Sequence, residues 1–510
     1  MNEGWGRWQS ALIAAAALVV GALLWRLGDK TPFTAGLILI SMVSAAAVAW
    51  LAPSRPAMAF GILFLVATLS RWAINTSIGN LRLEQPVILA GYAALLLAPS
   101  RFDLRRIKSL WPIGAAFGVY LACLGLSSVL FSPDKGDSYR MTIWTALSIS
   151  GGLLAFILLQ RASAQAPAWL RLSGYVQALA AFVFAILYFT LGPVLVSGPF
   201  PAPGVQDAVS SLPKVFALSW EANLYASLLA ALAIFGLDRL LSRGRSVDKA
   251  LVLVMVAALA LGATRGAYLG LGAGVVAYAF VAIGPKLPRL HLDIRRLGIP
   301  VAAFGGSFLL GILVAGVLMA GGRQPTKPLD LTKPGWGRAP VVVASGQSVP
   351  PGTQTETPPT VTILPPADTV SFRMDRVMPA LREVPRSLLI GLGANSFGQR
   401  HSDPSQIGQP DHIGILVLAA LYESGVIGAT GLVIGFALIL LRFLRAAWGR
   451  PDRRTMAAYT GAVVCLLVAY EATNAINFSL IWLIAGAGLA AASAQSVAPA
   501  DPAPPELPAS

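Results

Sequence analysis

Runs of roughly 20 apolar residues recur along almost the whole chain, and no other feature limits its fold as tightly. A helix needs about 20 such residues to cross about 30 Å of hydrocarbon. The runs lie near 9–25, 33–51, 56–70, 84–98, 111–130, 141–160, 171–196 and 218–238. They continue near 249–263, 266–284, 298–320, 411–441, 456–471 and 475–493. About fourteen segments of this kind predict an all-α polytopic membrane protein, because only helices satisfy their own backbone polar groups segment by segment in lipid. Three runs, 56–70, 84–98 and 249–263, are short enough to be re-entrant or tilted, so the expectation is about 12–14 transmembrane helices. Composition excludes the soluble alternative: 12% of the 510 residues are charged and 56% are apolar, whereas a soluble domain carries about a quarter charged residues. The mean hydropathy of +0.69 agrees.

The net charge of +15 would suit nucleic acid in a soluble chain, but in a membrane protein basic residues mostly set topology. Basic loops at 99–109, 238–249, 284–297 and 442–454 fall on one side when the helices alternate, which predicts both termini cytoplasmic. The first run ends in Trp25-Arg26 without a small-residue cleavage site and reads as a membrane helix rather than a signal peptide. Two cysteines, Cys123 and Cys465, both in apolar runs, exclude a disulfide framework and a zinc ribbon. The chain thus divides into an N-terminal bundle (1–320), a long outer loop (321–410), C-terminal membrane helices (411–493) and a Pro/Ala-rich tail (494–510) expected to be disordered.

The outer loop has two halves. Residues 321–368 are rich in Pro, Gly and Thr and hold too few large apolar side chains to build a core. Residues 370–390 carry Met374, Val377, Met378 and Leu381 at helical spacing, with Arg373 and Arg376 on another face and Arg382 and Arg386 beyond. This pattern predicts an amphipathic helix at the membrane surface, bent or ended by Pro379 and Pro385. Arginines clustered there suit an anionic partner, since the guanidinium fork binds phosphate through two parallel hydrogen bonds. Lipid headgroup anchoring is the simpler reading of the same charges.

Further polar residues gather at the same predicted face. Arg265, in Thr264-Arg265-Gly266, interrupts two apolar runs where an arginine costs about 2.5–3.5 kcal/mol on insertion scales; interfacial snorkelling is the alternative. Asp411 and His412 open the run 411–441, and histidine is a general base at neutral pH. Glu423 follows His412 by three helical turns, about 16 Å along the axis, too far to touch it. Glu221 and Asn223 open an earlier run, and Glu471, Asn474 and Asn477 lie between the last two. Interhelical hydrogen bonding would also explain them. His401, Asp403, Asp411 and His412 match no metal-ligand spacing, so no metal is expected, and no phosphate-binding loop or dinucleotide fingerprint is present.

Several of these elements, in this order, resemble those of the O-antigen ligase and polymerase superfamily. The carriers are Arg386 to Phe397 with the Gly391-Leu392-Gly393 turn, then Asp411-His412, then Glu423-Ser424-Gly425-Val426-Ile427-Gly428, preceded by Thr264-Arg265-Gly266 and Glu221-Ala222-Asn223. The asparagine common after the histidine is Ile413 here, and the proline common before the glycine turn is displaced to Pro385. The resemblance implies a GT-C-like fold in the bacterial inner membrane with the loop periplasmic. It implies inverting, metal-independent, cofactor-free transfer of a saccharide from undecaprenyl pyrophosphate to a hydroxyl. The acceptor would be a saccharide or lipid A-core. Arg265, Arg373 and Arg376 would hold the pyrophosphate, His412 would take the acceptor proton, and Arg382, Arg386, Glu221, Asn223 and Glu423 would line the substrate site. Membrane lipids are the other expected partners; nucleic acid is not. A polysaccharide or lipid transporter is the rival reading, though the chain lacks the repeated broken helices of one. A scaffold using the loop as an interaction arm is another.

Overall fold

The computed structural model describes residues 19–26, 28, 31–70, 72–76, 79–191, 205–206, 214–215, 218, 222–241, 246–262, 264–283, scattered positions between 303 and 313, 369–401, 413–448, 453–473 and 475–495. The Pro-rich half-loop 321–368, the tail beyond 495, Glu221, Asp411, His412 and the side chain of Arg373 lie outside the described residues.

The architecture is all-α. The first helices are α1 (Pro32–Leu51), α2 (Pro56–Thr68), α3 (Glu84–Leu97), α4 (Trp111–Leu130), α5 (Lys135–Leu159) and α6 (Ala166–Leu191). Next come α7 (Ala222–Leu241), α8 (Ser246–Leu261) and α9 (Arg265–Ile283). The outer segment contributes α10 (Thr369–Glu383) and the short α11 (Ser396–His401), and α12 (Leu416–Trp448), α13 (Arg454–Tyr470) and α14 (Ser479–Gln495) complete the chain. Twelve of the apolar runs coincide with helices; those near 9–25 and 298–320 lie largely outside the described residues. Among the described residues six helices are long and apolar enough to cross a membrane, including α1, α5, α9 and α12, and five shorter apolar helices accompany them. Apolar side chains such as Leu96, Trp111, Leu269 and Val276 are exposed on them, as expected of helices facing lipid.

Helix starts follow the local sequence. Pro32 opens α1, where its missing N–H costs nothing, and the Thr31 hydroxyl accepts from the Thr34 N–H at 3.1 Å. Asp134 caps α5 by accepting from the Asp137 N–H at 3.0 Å. Pro379 sits inside α10, and Pro385 lies in the 3-10 turn Val384–Ser387 that ends it. Two antiparallel hairpins punctuate the helices: β1 (Ala73–Thr76) with β2 (Gly79–Arg82), and β3 (Val205–Gln206) with β4 (Lys214–Val215). Neither was anticipated from the apolar pattern, which is blind to strands of two to four residues.

Small residues let the helices approach closely, which is how membrane helices gain packing energy without a hydrophobic drive between them. α9 lies along α13, α12 along α4, and α14 along α5. Gly266, Gly270 and Gly274 face Ala472, Cys465 and Gly461. A Cβ on Gly270 would fall 2.5 Å from the Cys465 carbonyl oxygen.

Side-chain bonds define two ends of the bundle. At one end the Arg442 guanidinium donates to the Ser109 carbonyl at 2.7 Å, Phe280 meets Trp448, and Arg239 approaches Asp248. At the other, the 470–479 turn, the start of α5, the 392–400 segment and the start of α12 are joined by hydrogen bonds.

Candidate functional site

The site is built where α12 is broken. Gly425 has φ 66° and ψ −174°, a backbone region essentially reserved for glycine. Around it the helix gives up the bonds that Val426 and Ile427 would make to the Tyr422 and Glu423 carbonyls. The turn 388–393 takes their place. Val426 N–H donates to the Leu388 carbonyl at 2.8 Å and Ile427 N–H to that of Leu389 at 3.1 Å. In return Leu392 N–H donates to the Tyr422 carbonyl at 2.8 Å and Gly393 N–H to that of Glu423 at 3.1 Å. Four backbone groups that the break would orphan are thereby satisfied. Gly391, with φ 84°, is the reciprocal requirement: a Cβ there would lie 2.4 Å from the Glu423 carbonyl, and one on Gly425 would lie 2.4 Å from that of Leu389.

Side chains reinforce this clasp. Glu423 Oε1 accepts from the Asn395 N–H at 3.1 Å, so this carboxylate holds the glycine turn. Ser127 donates to the Glu423 carbonyl at 2.7 Å, and the Ala394 N–H donates to Ser128 Oγ at 3.1 Å. The Asn395 amide donates to Asp137 Oδ2 at 2.7 Å, the Gln399 amide to the same oxygen at 3.1 Å, and Ser132 to Gln399 Oε1 at 2.8 Å. Asp137 also pairs with Arg140.

α10 is docked on α12 through one carboxylate. Tyr422 donates its hydroxyl to Glu383 Oε2 at 2.5 Å, His401 Nε2 lies 3.3 Å from the same oxygen, and Arg386 Nη1 lies 2.7 Å from Oε1. Phe397 packs against both the His401 and the Tyr422 rings. Burial alone would raise the Glu383 carboxyl; the hydrogen bonds from Tyr422 and His401, with the charges of His401 and Arg386, outweigh it and hold the group below its ordinary 4.5. A depressed carboxylate stabilises the fold above the unfolded-state value, and that stability is lost as pH falls through the folded value. Docking of α10 is therefore expected to persist at neutral pH and to weaken below about pH 4.5. Amide exchange of 376–384 checks this: Glu383→Gln should remove most of the pH dependence, and an unchanged profile in that variant would rule the mechanism out.

The expected site residues are placed as follows. Arg376 is buried on the inner side of α10, while Arg382 and Arg386 are exposed along its end and the following turn. All three arginines lie on the segment that the clasp holds against α12, and Glu423 is part of the clasp itself. Arg265 is exposed at the first turn of α9, where the next residue, Gly266, packs against Ala472. Glu471 joins that turn to α12: its Oε2 accepts from the Val417 N–H at 3.3 Å, and burial raises its carboxyl despite this bond. Asn223, half-buried, opens α7, beside the end of α8. Glu221, His412 and the Arg373 side chain are outside the described residues.

One polar layer escaped the sequence reading. The Arg82 guanidinium carbon lies 3.7 Å from the Phe478 ring centroid and 5.7 Å from that of Trp144, and Arg140 lies 5.2 Å from Trp144 on its own account. Arg82 Nη1 donates to the Asn477 carbonyl at 2.8 Å, as does Ser148 Oγ at 2.8 Å. Glu84 is buried beside them, accepting from Ser479 at 3.4 Å. The signal was present: Arg82, Glu84 and Gln85 crowd the start of one short apolar run, and Asp137 and Arg140 precede another.

Among the described residues no group of three or more His, Cys, Asp or Glu side chains is arranged to hold a metal ion. Both cysteines are buried as free thiols. The helices define a multi-pass membrane protein with a polar, arginine-bearing end. The chain matches no protein-family model, and no curated protein is significantly similar to it in sequence.

Proposed function

We propose that the protein is a membrane glycosyltransferase of the O-antigen ligase or polymerase type. It would transfer a saccharide from a polyprenyl pyrophosphate to a hydroxyl of a saccharide or lipid A-core acceptor. The observation that carries this reading is the clasp. It pins the segment bearing Arg376, Arg382 and Arg386 onto the break in α12, at the same end of the bundle as Arg265. That end faces outward if the opposite end, with Arg101, Arg105, Arg106, Lys108, Arg442 and Arg445, faces the cytoplasm.

In this reading the leaving group is a lipid pyrophosphate whose negative charge grows as the glycosidic bond breaks. Arginines fixed in place stabilise that charge without reorganising. Arg265, Arg373 and Arg376 hold it, and Glu423 holds the turn that carries the segment. His412 removes the acceptor proton as the hydroxyl attacks. The energy lies in the phosphate ester, so no nucleotide is required.

The test is incubation of the protein, in liposomes, with a lipid-linked oligosaccharide and competing acceptors, followed by mass analysis of the products. Arg265→Ala and His412→Ala are each expected to lower transfer at least a hundredfold while leaving membrane insertion unchanged. Full transfer by both variants would sink the assignment. Flux of the lipid-linked sugar across the vesicle wall without bond formation would point to a transporter instead.

A further inference from the structure

We infer that the turn following α10 is seated in the bilayer, with Leu388 and Leu389 among the lipid tails and Arg382 and Arg386 at the phosphate headgroups. This goes beyond the glycosyl transfer reading and does not depend on it.

The starting point is the pairing of Leu388 and Leu389 with Val426 and Ile427 across the clasp. All four side chains are apolar, and all are 42–63% exposed. Val426 and Ile427 belong to α12, a helix long and apolar enough to cross a membrane. Leucines bonded directly to their backbone sit at their depth. That depth follows from helix geometry. Arg442 bonds Ser109 at the far end of the bundle, and about 20 residues, the length of a 30 Å crossing, lead back from it to Tyr422. Val426 and Ile427 then lie about 6–8 Å inside the hydrocarbon boundary at 1.5 Å per residue.

The rest of the segment matches that position. Met378 and Leu381 are exposed on α10, and Arg382 and Arg386 are exposed beside them. Apolar side chains below and guanidinium groups above are what an interfacial segment needs when it rests about 5–10 Å deep on anionic lipid. The backbone can enter this depth because the break at Gly425 satisfies the carbonyls of Leu388 and Leu389 and the amides of Leu392 and Gly393. Unpaired, such groups are strongly disfavoured in hydrocarbon. The break in α12 and the apolar turn therefore explain one another: the turn supplies the missing bonds, and the helix brings the turn below the surface.

The experiment uses the full chain with Cys123 and Cys465 replaced by alanine and single cysteines at Leu389, Ile427 and Lys135, each spin-labelled. Lys135 is exposed at the same end of the bundle and serves as the aqueous reference. In liposomes of phosphatidylglycerol and phosphatidylethanolamine, collision with oxygen is compared with collision with a soluble nickel chelate. The label at 389 is expected to match that at 427, with an oxygen-to-nickel ratio several-fold above that at 135. A ratio at 389 equal to that at 135 would overturn the proposal. The headgroup half is tested separately. In phosphatidylcholine alone the label at 389 should sit shallower than in phosphatidylglycerol, and the double variant Arg382→Gln/Arg386→Gln should abolish that difference. Millimolar inorganic phosphate should not restore depth in phosphatidylcholine. Equal depth in both lipids for the unsubstituted arginines, or restoration by free phosphate, would overturn the headgroup assignment.

Discussion

Gly425→Val is expected to detach the outer segment from the bundle and to lower glycosyl transfer more than a hundredfold. Two effects combine. The backbone at 425 occupies a region that valine does not enter, and the new Cβ would meet the Leu389 carbonyl at 2.4 Å. The four exchanged hydrogen bonds then cannot form together. At about 1 kcal/mol each they amount to about 4 kcal/mol, a large part of the usual margin of stability. Hydrogen exchange separates this local loss from general unfolding. The amides of Leu392, Gly393, Val426 and Ile427 should exchange fast, while those of α13 and α14 stay protected. Gly391→Val should reproduce the pattern from the other side of the clasp. Unchanged protection of these four amides in either variant would show that the clasp does not hold the segment.

The second large effect is expected at Gly486, where α14 touches α5. A Cβ at 486 would lie 1.9 Å from the Gly152 carbonyl oxygen, and one at 152 would lie 2.7 Å from the Trp482 carbonyl oxygen. Both obstacles are backbone, so no side-chain rotation relieves them. Overpacking ordinarily costs about 1–3 kcal/mol, and a clash with backbone on a helix pair belongs at or above the top of that range. Gly486→Leu should lower the thermal midpoint by several degrees or more and broaden the elution profile in detergent. A control such as Gly272→Leu, at an open position, should leave both unchanged. A Gly486→Leu protein as stable as that control would mean that α5 and α14 separate at little cost.

How much of this was legible in the sequence depends on the residue in question. The spanning helices were, because about 20 apolar residues in lipid leave the backbone few alternatives to a helix. The end of α10 near Pro385 was, because proline lacks the amide that the next turn needs. The break at Gly425 was not: the run from 411 to 441 reads as one helix, and nothing in a list of apolar residues shows that two amides look elsewhere for a carbonyl. The glycines of the 391–393 turn were visible as a turn, but their partner lies some 30 residues on. Glu423 illustrates the same gap. It was expected to line the substrate site or to pair with a polar group of the bundle; one of its oxygens accepts from the Asn395 amide, and which polar group it would meet depends on how the turn folds back. Arg82 and Arg140 went unnoticed, because their common neighbour, Trp144, is 62 positions from one and four from the other.

The exchange of hydrogen bonds across the clasp also has an order in time. Residues 388–393 are synthesised before 422–427, so the turn has left the ribosome before the helix that receives it is complete. The interrupted stretch of α12 can enter lipid without stranded amides only if its partner is already waiting on the same side of the membrane. The chain order supplies that condition. A permuted protein in which 369–401 followed α14 would insert its broken helix first, with Val426 and Ile427 unsatisfied, and the segment that completes the helix would have to arrive after the membrane had closed around it.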